Sequence, residues 1–326
     1  MKQTIAFIFT TSILCLSAVI SGCSDSNDST PAVDLTPLLE RYVLSSMDSV
    51  PEGIAFDEQD RAFFATSLNG ASITRIDAQG NETLFREADN SATLVGAKVD
   101  SERRKLWVCA REVMQSGSQT DNRVWVFDLG TGEATMEFLL GAIATNGSCN
   151  DLALDSAGNA YVTDSSNPNV YRLDGTSGEG TLLVSDPLFA DVTTLGLGLN
   201  GIAVQSDDSG LIVGKFAPAS LFHIALDDSN AITPITLSGD ALPSPDGLAF
   251  LGADLYTVAD SAVSKIQLSN ASSAGAVTTV EQISGLSTAT VAEGALYVIK
   301  SEVTRSVLNA PLQLPFEIFK VDLSAF

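Results

Sequence analysis

Apolar and polar positions alternate with period two through most of the chain, in short runs broken by Gly, Asn, Asp and Ser. Such alternation marks half-buried strands. The clearest unit is NDLALDSAGNAYVTDSSNPNVYRLD, residues 150–174. It predicts a strand, a turn at Ser156-Ala157-Gly158-Asn159, a strand, a loop and a third strand. The same frame fits PEGIAFDEQDRAFFATSLNGASITRID at 51–77, NGIAVQSDDSGLIVGKFAPASLFHIAL at 200–226 and PDGLAFLGADLYTVADSAVSKIQL at 245–268. Two weaker copies complete a set of six: VGAKVDSERRKLWVCAR leading to RVWVFDL, and STATVAEGALYVIKSEV leading to FEIFKVDL. Units begin roughly 40 to 55 residues apart, the size of one four-stranded blade. A fourth strand is visible after some of them, as in ETLFRE at 82–87 and TLLVSD at 181–186. Helix-period patterns are nearly absent. The expected fold is all-β, a six-bladed β-propeller over residues 36–326. A sandwich of similar hairpins competes with it, and the regular spacing argues against the sandwich.

The sixth unit ends at the C-terminus after three strands. ERYVLSS at 40–46 reads as a strand without a hairpin partner. It is expected to supply the outer strand of the last blade, which closes the ring and covers an exposed edge.

Ahead of the repeats, residues 1–22 carry a Lys and then an apolar run too short for a convincing membrane span, and they read as a secretory signal. The small residues before Cys23 resemble the bacterial lipoprotein signal. That resemblance implies cleavage before Cys23 and lipid on it, with an ordinary signal and an incidental Cys as the alternative. Residues 23–35 are polar and small, a tether that cannot bury enough surface to fold. Ser24, rather than Asp, follows the Cys; by similarity this favours a lipid anchor in the bacterial cell envelope, at the outer membrane facing the periplasm.

Composition changes the picture in two ways. With 17 basic and 40 acidic residues the formal charge is −23, a surface that repels nucleic acid and anionic headgroups, so no nucleic-acid role is expected. Of four Cys, Cys15 leaves with the signal and Cys23 is the lipid site. Cys109 and Cys149 remain in an exported domain and form either a disulfide or two small buried thiols.

Four copies of the unit start alike. Glu52, Asn150, Asn200 and Asp246 each stand just before a strand of small and apolar residues. In a propeller such positions converge on the axis from different blades. Two carboxylates and two amides make an oxygen-rich cage suited to Ca²⁺, or another divalent cation, and unsuited to Zn²⁺. The competing explanation is that Asn, Asp and Gly merely start turns; a Glu in the set argues against it.

The motifs PEGIAFD, CNDLALDSAGNAYVTD, LNGIAV and SPDGLAFLGADLYTVAD resemble the gluconolactonase, regucalcin and diisopropyl-fluorophosphatase group across residues 50–323. The resemblance implies a six-bladed propeller with a catalytic Ca²⁺ in its channel. It assigns Glu52, Asn200 and Asp246 as metal ligands, Asn150 as ligand or substrate contact, and Asp246 also as general base or nucleophile. Two departures stand out. Ser148 occupies the position at which sugar-lactone hydrolases of the group carry a substrate-binding Arg, and the single His, His223, falls on a third strand away from the axis, where it reads as structural.

The substrate rim is expected in the loops 110–123 and 300–315, with Arg111, Lys215, Lys300 and Glu302 near the strand ends. Two functions remain open from sequence. One is a calcium-dependent hydrolase of lactones or related activated esters. The other is a non-catalytic, envelope-anchored propeller that keeps Ca²⁺ as a structural pin and binds a ligand or protein.

Overall fold

Short alternating strands joined by tight turns can bury both faces only by stacking sheet on sheet, and the chain does so around a ring. The computed structural model describes residues 36–87, 92–112, 122–193 and 197–326; the signal, Cys23, the tether and loop residues 113–121 lie outside them. Six small antiparallel sheets form the blades. Their inner strands are Pro51–Asp57, Ala92–Asp100, Leu152–Leu154, Leu199–Val204, Gly247–Leu251 and Leu286–Ala292. These adjoin one another in cyclic order, the last beside the first. Among the described residues no helix is long and apolar enough to cross a membrane.

Arg41–Val43 pairs antiparallel with Glu317–Lys320 and forms the outer strand of blade 6. Blade 5 differs from the repeat. Thr236–Gly239, on the way from blade 4, pairs in parallel with Ala274–Glu281 and makes this blade five-stranded. The repeat pattern does not show this strand, because it is short and lies in a connection. It covers an outer edge that would otherwise face solvent.

Six apolar cores fill the spaces between neighbouring blades. Blades 1 and 6 share one built on Tyr42, Phe63, Tyr297 and Phe316, while blades 2 and 3 share one built on Trp107, Phe138, Tyr171 and Leu140. Each sheet thus buries both faces, which is why so many strands read as nearly continuous apolar runs. Tyr42 ties the closing strand into this scheme. Its ring packs edge-on to Phe63 at 5.2 Å, and its hydroxyl accepts from Leu39 N at 2.9 Å and donates to Ala78 O at 3.3 Å.

Replacing Tyr42 with Ala is expected to lower the unfolding free energy by about 3–4 kcal/mol, read from urea denaturation. A loss below about 1 kcal/mol would show that the closing strand contributes little to the ring.

Candidate metal centre

The repeated start of each inner strand has a local cause. In blades 1, 2, 4 and 6 the inner strand slips register there, between Pro51 and Ile54, Leu94 and Ala97, Leu199 and Ile202, and Leu286 and Ala289. A bulge of this kind re-aims the extra residue. In blades 3 and 5 the matching residues, Asn150 and Asp246, sit just before the strand. They remain held by Asn150 N to Thr163 O at 2.9 Å and Asp246 N to Val258 O at 2.7 Å.

Close approach of neighbouring blades explains the Gly after the key residue. A Cβ on Gly96 would lie 2.5 Å from Asp151 Oδ1 and 2.8 Å from Asn150 O. On Gly201 it would lie 2.3 Å from Asp246 O. Side-chain hydroxyls knit the same level together. Thr66 accepts from Gly53 N and donates to Val95 O of the next blade, both at 2.8 Å. Thr163 bridges Asp151 and Asn200 O likewise, and Ser287 donates to Glu52 O at 2.8 Å across the ring closure.

Cys109 occupies in blade 2 the register position that Thr66 has in blade 1, opposite the bulge. Instead of a hydrogen bond it makes a disulfide to Cys149 of blade 3, with Cα atoms 5.6 Å apart. The bond fixes the residue before Asn150.

Glu52, Asn150 and Asp246 meet at one cavity of about 10 Å³, room for roughly one water-sized sphere, lined also by Gly96, Asp151 and Thr288. Asn200 joins them through a hydrogen bond from its side chain to Asp246. Burial pushes the Glu52 carboxyl well above the ordinary range, with Asp246 and Asp151 adding repulsion. Burial and Asp151 push Asp246 up to about 7, against the Asn200 hydrogen bond and Arg111. Burial raises Asp151 as well. Glu52 Oε2, Asp151 Oδ2, Asn200 Oδ1 and Thr288 Oγ1 are buried with no hydrogen-bond partner. Buried polar atoms normally find partners, and crowded carboxylates repel. Among the described residues no three His, Cys, Asp or Glu side chains form a metal cluster by themselves. The donor set here mixes carboxylate, amide and hydroxyl oxygens. Orphaned oxygens around a one-sphere cavity fit a hard cation such as Ca²⁺.

The rim residues fare differently. Arg111 is half-buried, donates from Nε to Cys149 O at 2.6 Å and from Nη2 to Ser165 Oγ, and faces the charges of Glu52, Asp164 and Asp246. Burial lowers its pKa. Lys215 is buried, its Nζ donating to Leu188 O at 2.8 Å. Lys300 donates to Gln313 O at 2.9 Å. Glu302 is fully buried and pairs with Arg305 at 2.9 Å. Those three are engaged in holding loops, while Arg111 acts on the cage. His223 lies on the third strand of blade 4, its Nε2 2.9 Å from Gln205 Oε1. Sequence reasoning missed Asp151 and Thr288; the signal was there, in an Asp and a Thr where other copies of the unit carry Gly.

Replacing both Cys109 and Cys149 with Ser is expected to lower the unfolding free energy by about 2–4 kcal/mol in denaturant titration, the range for a closed loop of this size. An unchanged midpoint would mean that the blade contacts alone hold this seam.

Similar proteins share the architecture. The major allergen Mala s 1 of Malassezia sympodialis superposes with a TM-score of 0.70 at 13% identity, over 88% of this chain and 97% of that one. A gluconolactonase of Xanthomonas campestris superposes with a TM-score of 0.59 at 17% identity, over 83% of this chain and 86% of that one. The virginiamycin B lyase of Staphylococcus aureus gives 0.55 at 16% identity, over 87% and 98%. Identities this low establish the propeller fold alone. Among curated proteins, none matches the sequence significantly. Residues 50–302, which carry all four cage positions, match the SMP-30/Gluconolactonase/LRE-like region, and the chain belongs to that family.

Proposed function

We propose that the protein is a calcium-dependent hydrolase of lactones or related activated esters. At the level of the family this is lactonase-type hydrolase chemistry, in a family generally of divalent-metal enzymes. The observation that carries the reading is the convergence of Glu52, Asn150 and Asp246 on one small cavity ringed by unpartnered buried oxygens. Glu52, Asn150, Asn200 and Asp246 would hold the cation. A cation held there supplies Lewis-acid polarisation of a carbonyl or phosphoryl oxygen.

The chain's own groups supply the rest. Asp246 takes the proton from an attacking water or attacks directly; held against a cation it is a weak base, which suits activated esters. Arg111 is one of the cationic side chains beside the cage, and it orients substrates that carry an anionic group. A second reading, a non-catalytic binding propeller, draws on Ser148 at the position of the group's substrate-binding Arg. The anchor at Cys23 would hold the domain in the cell envelope, at the outer membrane.

The test is hydrolysis of a panel of aldono-, aliphatic and aromatic lactones and an activated phosphoester, with Ca²⁺ and with chelator. Turnover lost on chelation and restored by Ca²⁺ is expected. Asp246→Asn should cut kcat by roughly 10²–10⁴-fold while leaving the circular-dichroism spectrum intact. Full activity in that variant would remove Asp246 from the chemistry. Stabilisation by Ca²⁺ with no turnover on any substrate would favour the binding propeller. Arg111→Met should raise KM for anionic lactones by roughly tenfold and leave neutral ones little changed; an equal effect on both would deny it a part in selectivity.

A further inference from the structure

Two side chains break the pattern of small residues that lines the channel. Directly after the cage position, the six blades carry Gly53, Gly96, Asp151, Gly201, Gly247 and Thr288. Two residues further on they carry Ala55, Lys98, Ala153, Ala203, Ala249 and Thr290. Asp151 therefore stands where four blades have Gly, and Lys98 where four have Ala. They belong to neighbouring blades.

Asp151 is 5% exposed. Its Oδ1 accepts from Leu152 N at 2.8 Å, and its Oδ2 has no partner. Thr288 is 7% exposed, and its Oγ1 is likewise unpartnered. Both line the small cavity of the cage. A buried ionised carboxylate with one oxygen unpartnered is costly. The fold does not need one here, since Gly serves in four other blades. Lys98 lines a separate cavity of about 500 Å³ that all six inner strands enclose. Its charge is near enough to stabilise the ionised forms of both Asp151 and Glu52. Lys98 thus lines the channel at a level where four other blades carry Ala.

We propose that the cage has a charged floor, in which Asp151 and Thr288 add two oxygen ligands for the cation and the Lys98 ammonium weakens the cation's binding by repulsion. The inference rests on reading the cage as a cation site. It fits the appetite of Ca²⁺ for six to eight oxygens, more than the four cage side chains need supply. It also gives Lys98 a role. An ammonium near Asp151 and Glu52 repels a cation held beside them.

Asp151→Gly and Lys98→Ala restore the residues the repeat uses elsewhere, and Asp151→Asn keeps the shape without the charge. Each is stripped with chelator and titrated with Ca²⁺ by calorimetry. Tb³⁺ then replaces Ca²⁺ as a probe, and its luminescence decay in H₂O and D₂O counts the waters it keeps. Both Asp151 variants should lose roughly tenfold or more in Ca²⁺ affinity. Asp151→Gly should add about one water to bound Tb³⁺. Lys98→Ala should tighten Ca²⁺ severalfold. Wild-type affinity and water count in Asp151→Gly, alongside lost affinity in Glu52→Gln, would overturn the floor and leave the cage standing. No binding of Ca²⁺ or Tb³⁺ by the unmodified protein would overturn both.

Discussion

Six strands crowd one axis, and the rest of the structure answers to that crowding. Where neighbouring inner strands touch, a single Cβ would collide with backbone, as at Gly96 against Asn150 and at Gly201 against Asp246. Gly is therefore forced at this level in four of the six blades. The residue before that level is pushed by a bulge toward its counterparts from other blades. The same geometry that demands Gly thus gathers Glu52, Asn150, Asn200 and Asp246. The site follows from how a ring of sheets closes. It needs no special loop to build it.

This is why so much is legible in the sequence. A repeated unit writes its pattern again in every blade, and the Gly it calls for in four of them, so the units, their spacing and the shared position of the four oxygen-bearing residues can be read from the sequence. What escaped was whatever departed from the repeat. Thr236–Gly239 pairs in parallel with blade 5 through a connection whose pattern says nothing of its partner. Lys215, Lys300 and Glu302 look from sequence like free rim charges, yet each is engaged with a loop carbonyl or an ion pair. Such contacts depend on the paths of irregular segments. Asp151 is hidden for another reason: it stands beside Asn150 within the repeated motif, and only the comparison with Gly in the other blades marks it as an exception.

Electrostatics and stability oppose each other at the axis. Three carboxylates share a site from which water is largely excluded, and burial raises all three. Without a cation this arrangement is unfavourable. Its surroundings are tied across several seams, by the hydroxyls of Thr66, Thr163 and Ser287 between three pairs of neighbouring blades and by a disulfide between blades 2 and 3. Local strain of this sort survives only where the scaffold over-determines it.

That seam, between blades 2 and 3, is where the ring departs furthest from six-fold likeness. Blade 2 offers Val95 at the cage position, an apolar residue where four other blades present an oxygen-bearing side chain. Its contribution is positive charge and a covalent tie. Arg111 faces Glu52 and Asp246, Lys98 acts on Asp151 from within the channel, and Cys109 holds Cys149. Blade 3 answers with the only Asn-Asp pair among the cage positions, Asn150-Asp151. The division of labour has a physical logic. Oxygens from blades 1, 3, 4 and 5 repel one another while no cation lies between them, and positive charge beside them offsets part of that repulsion. Blade 2, apolar at the cage position, places positive charge beside the others without occupying the cage. Pinning that blade to its neighbour by a disulfide then fixes the distance between the offsetting charges and the ligands, which a Coulomb interaction in a dry site requires.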